Sequence, residues 1–93
     1  MIEILQNGNT ANDASPTGTK IHDRDGRQTK GVCAYKTAAG SATVTLQGSF
    51  DNSTWFDITT LTSGSPVEVT LLPYMRATIA SISGAVVYVW LYY

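Results

Sequence analysis

The residues with chemical potential are few. His22 is the only histidine and stands beside Asp23, so a Ser-His-Asp relay would have one available base, and such residues meet in space rather than in sequence. No Gly-x-Ser-x-Gly elbow offers a nucleophile, and His22 lies in a polar stretch rather than at the end of a strand. Asp23-Arg24-Asp25-Gly26 has the outline of a calcium turn, but no further oxygen ligands and no distal Glu follow at EF-hand spacing. Asp51 and Asp57 flank Trp55, the arrangement of a carboxylate pair with a stacking aromatic for sugar cleavage. The simpler reading starts a turn at Asp51 and puts Asp57 on a wet face between Phe56 and Ile58. Gly48-Ser49 falls within a strand pattern, not at a strand-to-helix junction, so it is no phosphate cradle. Cys33 is the sole cysteine, which leaves no internal disulfide and no thiol pair for zinc. Between Val32 and Ala34 it reads as a small core residue. The expectation is a non-enzymatic chain with no catalytic residue, metal or cofactor.

The stronger functional signal is aromatic. In the last strand, residues 86–93, Val87, Val89 and Leu91 share one parity and Tyr88, Trp90 and Tyr92 the other, so both faces are apolar or aromatic. A strand with two such faces lies between two layers or has its second face covered by another chain. Three readings compete for Tyr88, Trp90 and Tyr92: a subunit or partner interface, core packing under the N-terminal segment, and a ligand platform. The interface reading leads, because large rigid side chains with a polar tip are what interfaces are made of.

These residues must be positioned by a small domain. Ninety-three residues make one domain near the lower limit for a core without staples. Charged residues are only 14%, against roughly 25% in an average soluble protein; Ser and Thr fill the difference. Few like charges keep copies apart, which favours a homo-oligomer. A net charge of −1 and a pI of about 5.6 argue against a nucleic-acid binder. The loose basic stretch of Lys20, Arg24, Arg27, Lys30 and Lys36 is interrupted by Asp23 and Asp25 and reads as a solvated loop. The N-terminus lacks the basic and apolar regions of a secretory signal, and no stretch approaches the roughly 20 apolar residues of a spanning helix, so no membrane role is expected.

The chain reads as all-β. Its centre is the stretch 42–61, where Val44, Leu46 and Phe50 fall on one parity and Thr43, Thr45, Gln47 and Ser49 on the other. Asp51-Asn52-Ser53 forms a hairpin turn, because short polar side chains fold back on the backbone there, and Trp55 opens the return strand. Ile2, Ile4 and Leu5 give a short edge strand, and Val32, Ala34 and Tyr35 mark another before a turn at Ala38-Ala39-Gly40-Ser41. After the turn Thr62-Ser63-Gly64-Ser65-Pro66, the sets Val67, Val69, Leu71 and Met75, Ala77, Ile79 alternate with polar residues. Pro73 ends the first of these strands. Residues 6–31 are polar and rich in turn dipeptides, and read as an arm that orders against a partner, with a short strand around Thr19 to His22. The expected fold is a single small antiparallel β-sandwich, jelly-roll or Ig-like, of about six to eight strands. Residues 1–31 supply the N-terminal strand and polar arm, and residues 32–93 the sandwich core.

Ser49-Phe50-Asp51-Asn52-Ser53-Thr54-Trp55, followed by a strand and then Tyr74-Met75-Arg76, resembles the Ser-x-Asp-Gly-x-x-Trp and Tyr-x-Arg pattern of small β-sandwich proteins of tailed bacteriophages. Those proteins decorate capsids or occur in head fibres and tail parts. Asn52 stands where the pattern has Gly, a tolerated change because both accept positive φ. The resemblance covers residues 32–93. It implies a virion structural protein, made in the host cytoplasm, whose partners are other virion proteins such as the major capsid or tail protein. Asp51, Asn52, Trp55 and Arg76 would set the turn and fill the core. The same hairpin is similar to one in discoidin-type jelly rolls, but those are longer and often carry disulfides, which this chain lacks. The alternative function is a carbohydrate-binding module with Trp90 or Trp55 as a stacking surface for host glycans.

Overall fold

The structure, a computed structural model, describes residues 1–21 and 29–93. Among the described residues there are eight strands: β1 Ile2–Asn9, β2 Thr19–Lys20, β3 Lys30–Thr37, β4 Ser41–Ser49, β5 Trp55–Leu61, β6 Val67–Thr70, β7 Tyr74–Ser83 and β8 Val87–Tyr92. They form two four-stranded sheets, with orders β1-β8-β3-β6 and β2-β7-β4-β5, and the pairings between these strands are antiparallel. In these orders β1 lies beside β8, β2 beside β7, β3 beside β6 and β4 beside β5. The chain is thus one long hairpin of four strand pairs rolled into two layers. That is the jelly-roll arrangement, and it decides between the two expected sandwich types. The β4–β5 hairpin is the innermost turn of the roll, so each strand before it pairs with one after it.

The alternation of residues fixes which side of each strand meets the other sheet. Val44 and Leu46 of β4, Met75, Ala77 and Ile79 of β7, and Val87, Val89 and Leu91 of β8 all point inward and are fully buried. Cys33 and Tyr35 of β3, with Ile21, Leu61, Val69, Leu71 and Ala85, belong to the same cluster. On β3 it is therefore Cys33 and Tyr35 that face the core, while Val32 and Ala34 lie on the opposite parity. Burying each large aliphatic side chain contributes about 1.5–3 kcal/mol, so this central set dominates the stability of so small a domain.

Two expectations about aromatic residues are corrected. Phe50 shares the inward parity of Val44 and Leu46, but β4 ends at Ser49, and Phe50 lies beyond the sheet at 67% exposure. There it meets Phe56, edge to face at 6.2 Å. Trp55 does not fill the core either. Its pairing with Ser49 places it on the outer side of the second sheet, where the Arg76 guanidinium lies 4.2 Å from its ring centre.

The N-terminal segment is also placed differently from a free arm. Asp13 exchanges two backbone hydrogen bonds with Ile79, Thr19 and Lys20 pair with Met75 and Tyr74, and the Ile21 amide donates to the Pro73 carbonyl. Residues 12–21 thus run along the edge of β7 as an interrupted strand. Gly18 is what lets them approach: a Cβ there would stand 2.6 Å from the Trp55 ring and closer still to the Asn52 side chain. The short strand expected near Thr19 is β2. Residues 1–21 therefore give an edge strand to each sheet and pack with the strands that follow.

Candidate contact surface

The two outer faces of the sandwich differ in chemistry. On the second sheet, Thr60, Thr45 and Thr78 form one cross-strand row, and Asp57, Gln47 and Arg76 the next. Gln47 donates from Nε2 to Asp57 Oδ1 at 2.7 Å and accepts at Oε1 from Arg76 Nε at 2.7 Å. Arg76 in turn covers Trp55 and donates from Nη1 to the Pro16 carbonyl at 3.5 Å. Each member of this row already has a partner. The carboxylate of Asp57 is engaged by an amide and one face of Trp55 by a guanidinium, so Trp55 and Asp57 belong to one network that reaches the N-terminal segment at Pro16.

Asp51 organises the hairpin turn. Its Oδ1 accepts from the backbone amides of Thr54 at 2.8 Å and Ser53 at 2.9 Å and from Ser49 Oγ at 3.0 Å. These donors, the Thr54 amide foremost, hold the carboxyl below its usual range. Asn52 takes φ of +62°, the left-handed conformation that its place in the turn requires. Cys33 is buried, and desolvation pushes its thiol up to about 12, which leaves essentially no thiolate at neutral pH. His22, Asp23, Arg24, Asp25, Gly26 and Arg27 lie outside the described residues. Among the described residues no three of His, Cys, Asp and Glu come together to hold a metal ion, and no helix is long and apolar enough to cross a membrane.

The outer face of the first sheet is apolar. β8 is a central strand there, flanked in the plane by β1 and β3. Its register sets out three rows: Asn7, Tyr88 and Lys36; Ile4, Trp90 and Ala34; and Ile2, Tyr92 and Val32, extended by Glu68 on β6. Directly opposed residues of an antiparallel pair point to the same side, so these side chains share one surface. Ile2 is 65% exposed, Ile4 54%, Val32 40% and Tyr92 59%. Tyr88 and Trp90 are half-buried and stack on each other, ring centres 5.8 Å apart and planes within 8°. Among the described residues the N-terminal segment does not lie over this face, because β1 sits beside β8 in the sheet. Glu68 and Lys30 form an exposed ion pair of 3.3 Å at one margin. Beside it an open cleft of about 360 Å³ is lined by Lys30, Gly31, Val32, Glu68, Tyr92 and Tyr93.

Tyr88, Trp90 and Tyr92 were legible as a set from their parity alone. Ile2, Ile4, Val32 and Ala34 were not, since only the register of β1 and β3 against β8 brings them alongside. The available signal was weak: Ile2 and Ile4 share a parity, as do Val32, Ala34 and Lys36. A contiguous apolar patch of this kind, edged by polar groups, is the mark of a contact surface.

The chain matches no protein-family model, no curated protein and no solved structure.

Proposed function

We propose that this chain is a non-enzymatic structural protein of a tailed-phage particle, a capsid decoration or accessory protein that works by multivalent protein–protein contacts. The observation that carries the contact role is the outer face of the first sheet, where the exposed Ile2, Ile4, Val32 and Tyr92 surround the stacked Tyr88 and Trp90. The particle role rests on the resemblance of the 49–55 hairpin and Tyr74-Met75-Arg76 to virion β-sandwich proteins. The jelly roll is a recurrent architecture of viral capsid domains, a likeness of fold that sets a prior and no more. On a particle, many copies on a symmetric lattice convert weak single contacts into firm attachment.

The edges of the sheets favour the face as the point of contact. β1 carries two register shifts and β5 one, and β2 and β6 are only two and four residues long. Bulged or short edges resist strand addition by another chain. A glycan platform is less well served, because Tyr88 and Trp90 each spend one ring face on the other.

Particles purified from a culture producing the protein test this reading, probed for the wild-type chain and for Trp90→Ala. Wild-type chain should co-purify at fixed stoichiometry, and Trp90→Ala should be depleted by tenfold or more, on the order of a hot-spot loss. Equal incorporation of the two would remove the face from the function. Absence of the wild type from particles, with saturable quenching of Trp fluorescence by a glycan, would replace the proposal by a carbohydrate-binding module.

A further inference from the structure

The chain holds asparagines at positions 7, 9, 12 and 52, and Asn7 alone is followed by glycine. The fold treats them unequally. Asn9 donates its amide to Gln6 and accepts from the Ala11 backbone amide, and Asn12 Oδ1 accepts from the Ile82 amide at 3.0 Å. The backbone amide that follows Asn12 is donated to Ile79, and the one that follows Asn52 is donated to Asp51. Asn7 lacks such side-chain restraints: it is exposed on the edge strand β1 and its amide makes no hydrogen bond among the described residues. Gly8 is the extra residue of a bulge, at φ of +72°, between Asn7 opposite Tyr88 and Asn9 opposite Val87. We propose that Asn7 and Gly8 form a self-modifying site, at which the folded protein converts the Asn7 amide to a carboxylate with water alone and so charges one row of the contact surface.

The reaction runs through a cyclic imide. The Gly8 backbone nitrogen attacks Cγ of Asn7; the new N–Cγ bond forms, the Cγ–Nδ2 bond breaks, and ammonia leaves with the Gly8 amide proton. Water then opens the ring. Addition at Cγ restores the main chain with an aspartate, and addition at the main-chain carbonyl of Asn7 leaves an isoaspartate, whose backbone is one methylene longer. The sum consumes one amide and one water and yields one carboxylate and one ammonium, with no change of oxidation state.

The local structure permits this step in the native state. A side chain at position 8 would shield the attacking nitrogen, whereas glycine leaves it open and takes positive φ without strain. A bulge leaves its extra residue unpaired, and an edge strand is held on one side only. Opening at such a place costs far less than global unfolding.

The consequence for the face rests on its reading as a protein-contact surface. The new carboxylate stands in the row of Tyr88 and Lys36. Lys36 is two strand spacings away, roughly 10 Å and so about a Debye length, and does not neutralise it. A surface that must be desolvated gains an unpaired charge. The site is therefore a slow clock that weakens the contact with age.

The purified chain held at mildly alkaline pH tests this, sampled over days by peptide mapping with fragmentation that separates aspartate from isoaspartate. Asn7 should convert within about tenfold of its rate in the guanidinium-unfolded chain, and at least about tenfold faster than Asn9, Asn12 and Asn52 in the folded one. Both isomers should appear, the rate should rise with pH as the Gly8 nitrogen loses its proton, and Asn7→Gln, which cannot close the same ring, should stay unmodified at an unchanged urea midpoint. An Asn7 that keeps its amide in the folded protein while the unfolded chain converts overturns the proposal, as does aspartate without isoaspartate. Asn7→Asp should be depleted from particles by about threefold or more, and incorporation equal to wild type overturns the effect on the contact. Conversion of Asn7 in a chain that particles do not take up would uphold the site and sink the reading of the face.

Discussion

Gln6 of β1 donates from Nε2 to the Ala77 carbonyl of β7 at 2.8 Å, a buried hydrogen bond that joins one sheet to the other. Along this edge of β7, Met75 pairs with Thr19 and Ile79 with Asp13, and the Gln6 amide reaches the carbonyl between them. The amide is held in turn, with Oε1 accepting from Asn9 and Nε2 also donating to Asp13. Gln6→Leu keeps the volume and removes the donor, leaving a buried carbonyl unanswered. It should cost about 1–3 kcal/mol, read as a lower urea midpoint at unchanged m-value. A variant within about 0.3 kcal/mol of wild type would mean that water replaces the amide.

Arg76 acts on the opposite side of β7 by shape as much as by charge. Its Nε is fixed by Gln47 while its plane lies on Trp55. A double-mutant cycle of Arg76→Ala and Trp55→Ala should return a coupling of about 0.5–1 kcal/mol, the range for a partly exposed cation over an indole. Arg76→Lys should lose most of it, because an ammonium has no planar fork to bond Gln47 and stack at once. Additive single variants would show the two side chains to be mere neighbours.

The turn gives a dependence on pH with a definite sign. Asp51 has a folded pKa below its ordinary 3.8 because the amides of Thr54 and Ser53 and the Ser49 hydroxyl donate to the ionised form. Its contribution is thus fully present above pH 3.8 and is lost as pH falls through the lower folded value. Asp51→Asn should be less stable than wild type at pH 7, and the gap should close as the pH drops toward 2. Urea midpoints of both proteins across pH 7 to 2 measure this; a gap that stays constant would assign the stabilisation to the hydrogen bonds alone and none to the charge.

Where a strand alternates between a wet and a dry face, the fold was legible residue by residue. Val44 and Leu46, Met75, Ala77 and Ile79, and Val87, Val89 and Leu91 all lie where parity places them. Parity says nothing of where a sheet stops, which is why Phe50 was misplaced, nor of which sheet covers which, which is why Trp55 was. The docking of residues 12–21 on β7 was hidden for another reason. It is made through backbone groups at Asp13 and Thr19, and these leave no trace in side-chain pattern. On the contact surface, one strand contributed a readable aromatic set, whereas the neighbours on β1 and β3 depend on register, which two bulges in β1 shift.

The limit of parity can itself be measured by comparing Leu46 and Phe50, which share a parity, the first within β4 and the second just past its end. Leu46 is fully buried between the sheets, and Leu46→Ala should cost about 2–5 kcal/mol, a transfer loss plus the cavity left behind. Phe50 is 67% exposed and touches Phe56 at its edge. Phe50→Ser should therefore change stability by no more than about 0.5–1 kcal/mol, as a surface substitution that forfeits one aromatic contact does. Thermal or urea unfolding of the two variants side by side gives the answer. A cost for Phe50→Ser near that of Leu46→Ala would mean that the core extends past Ser49 to the hairpin tip.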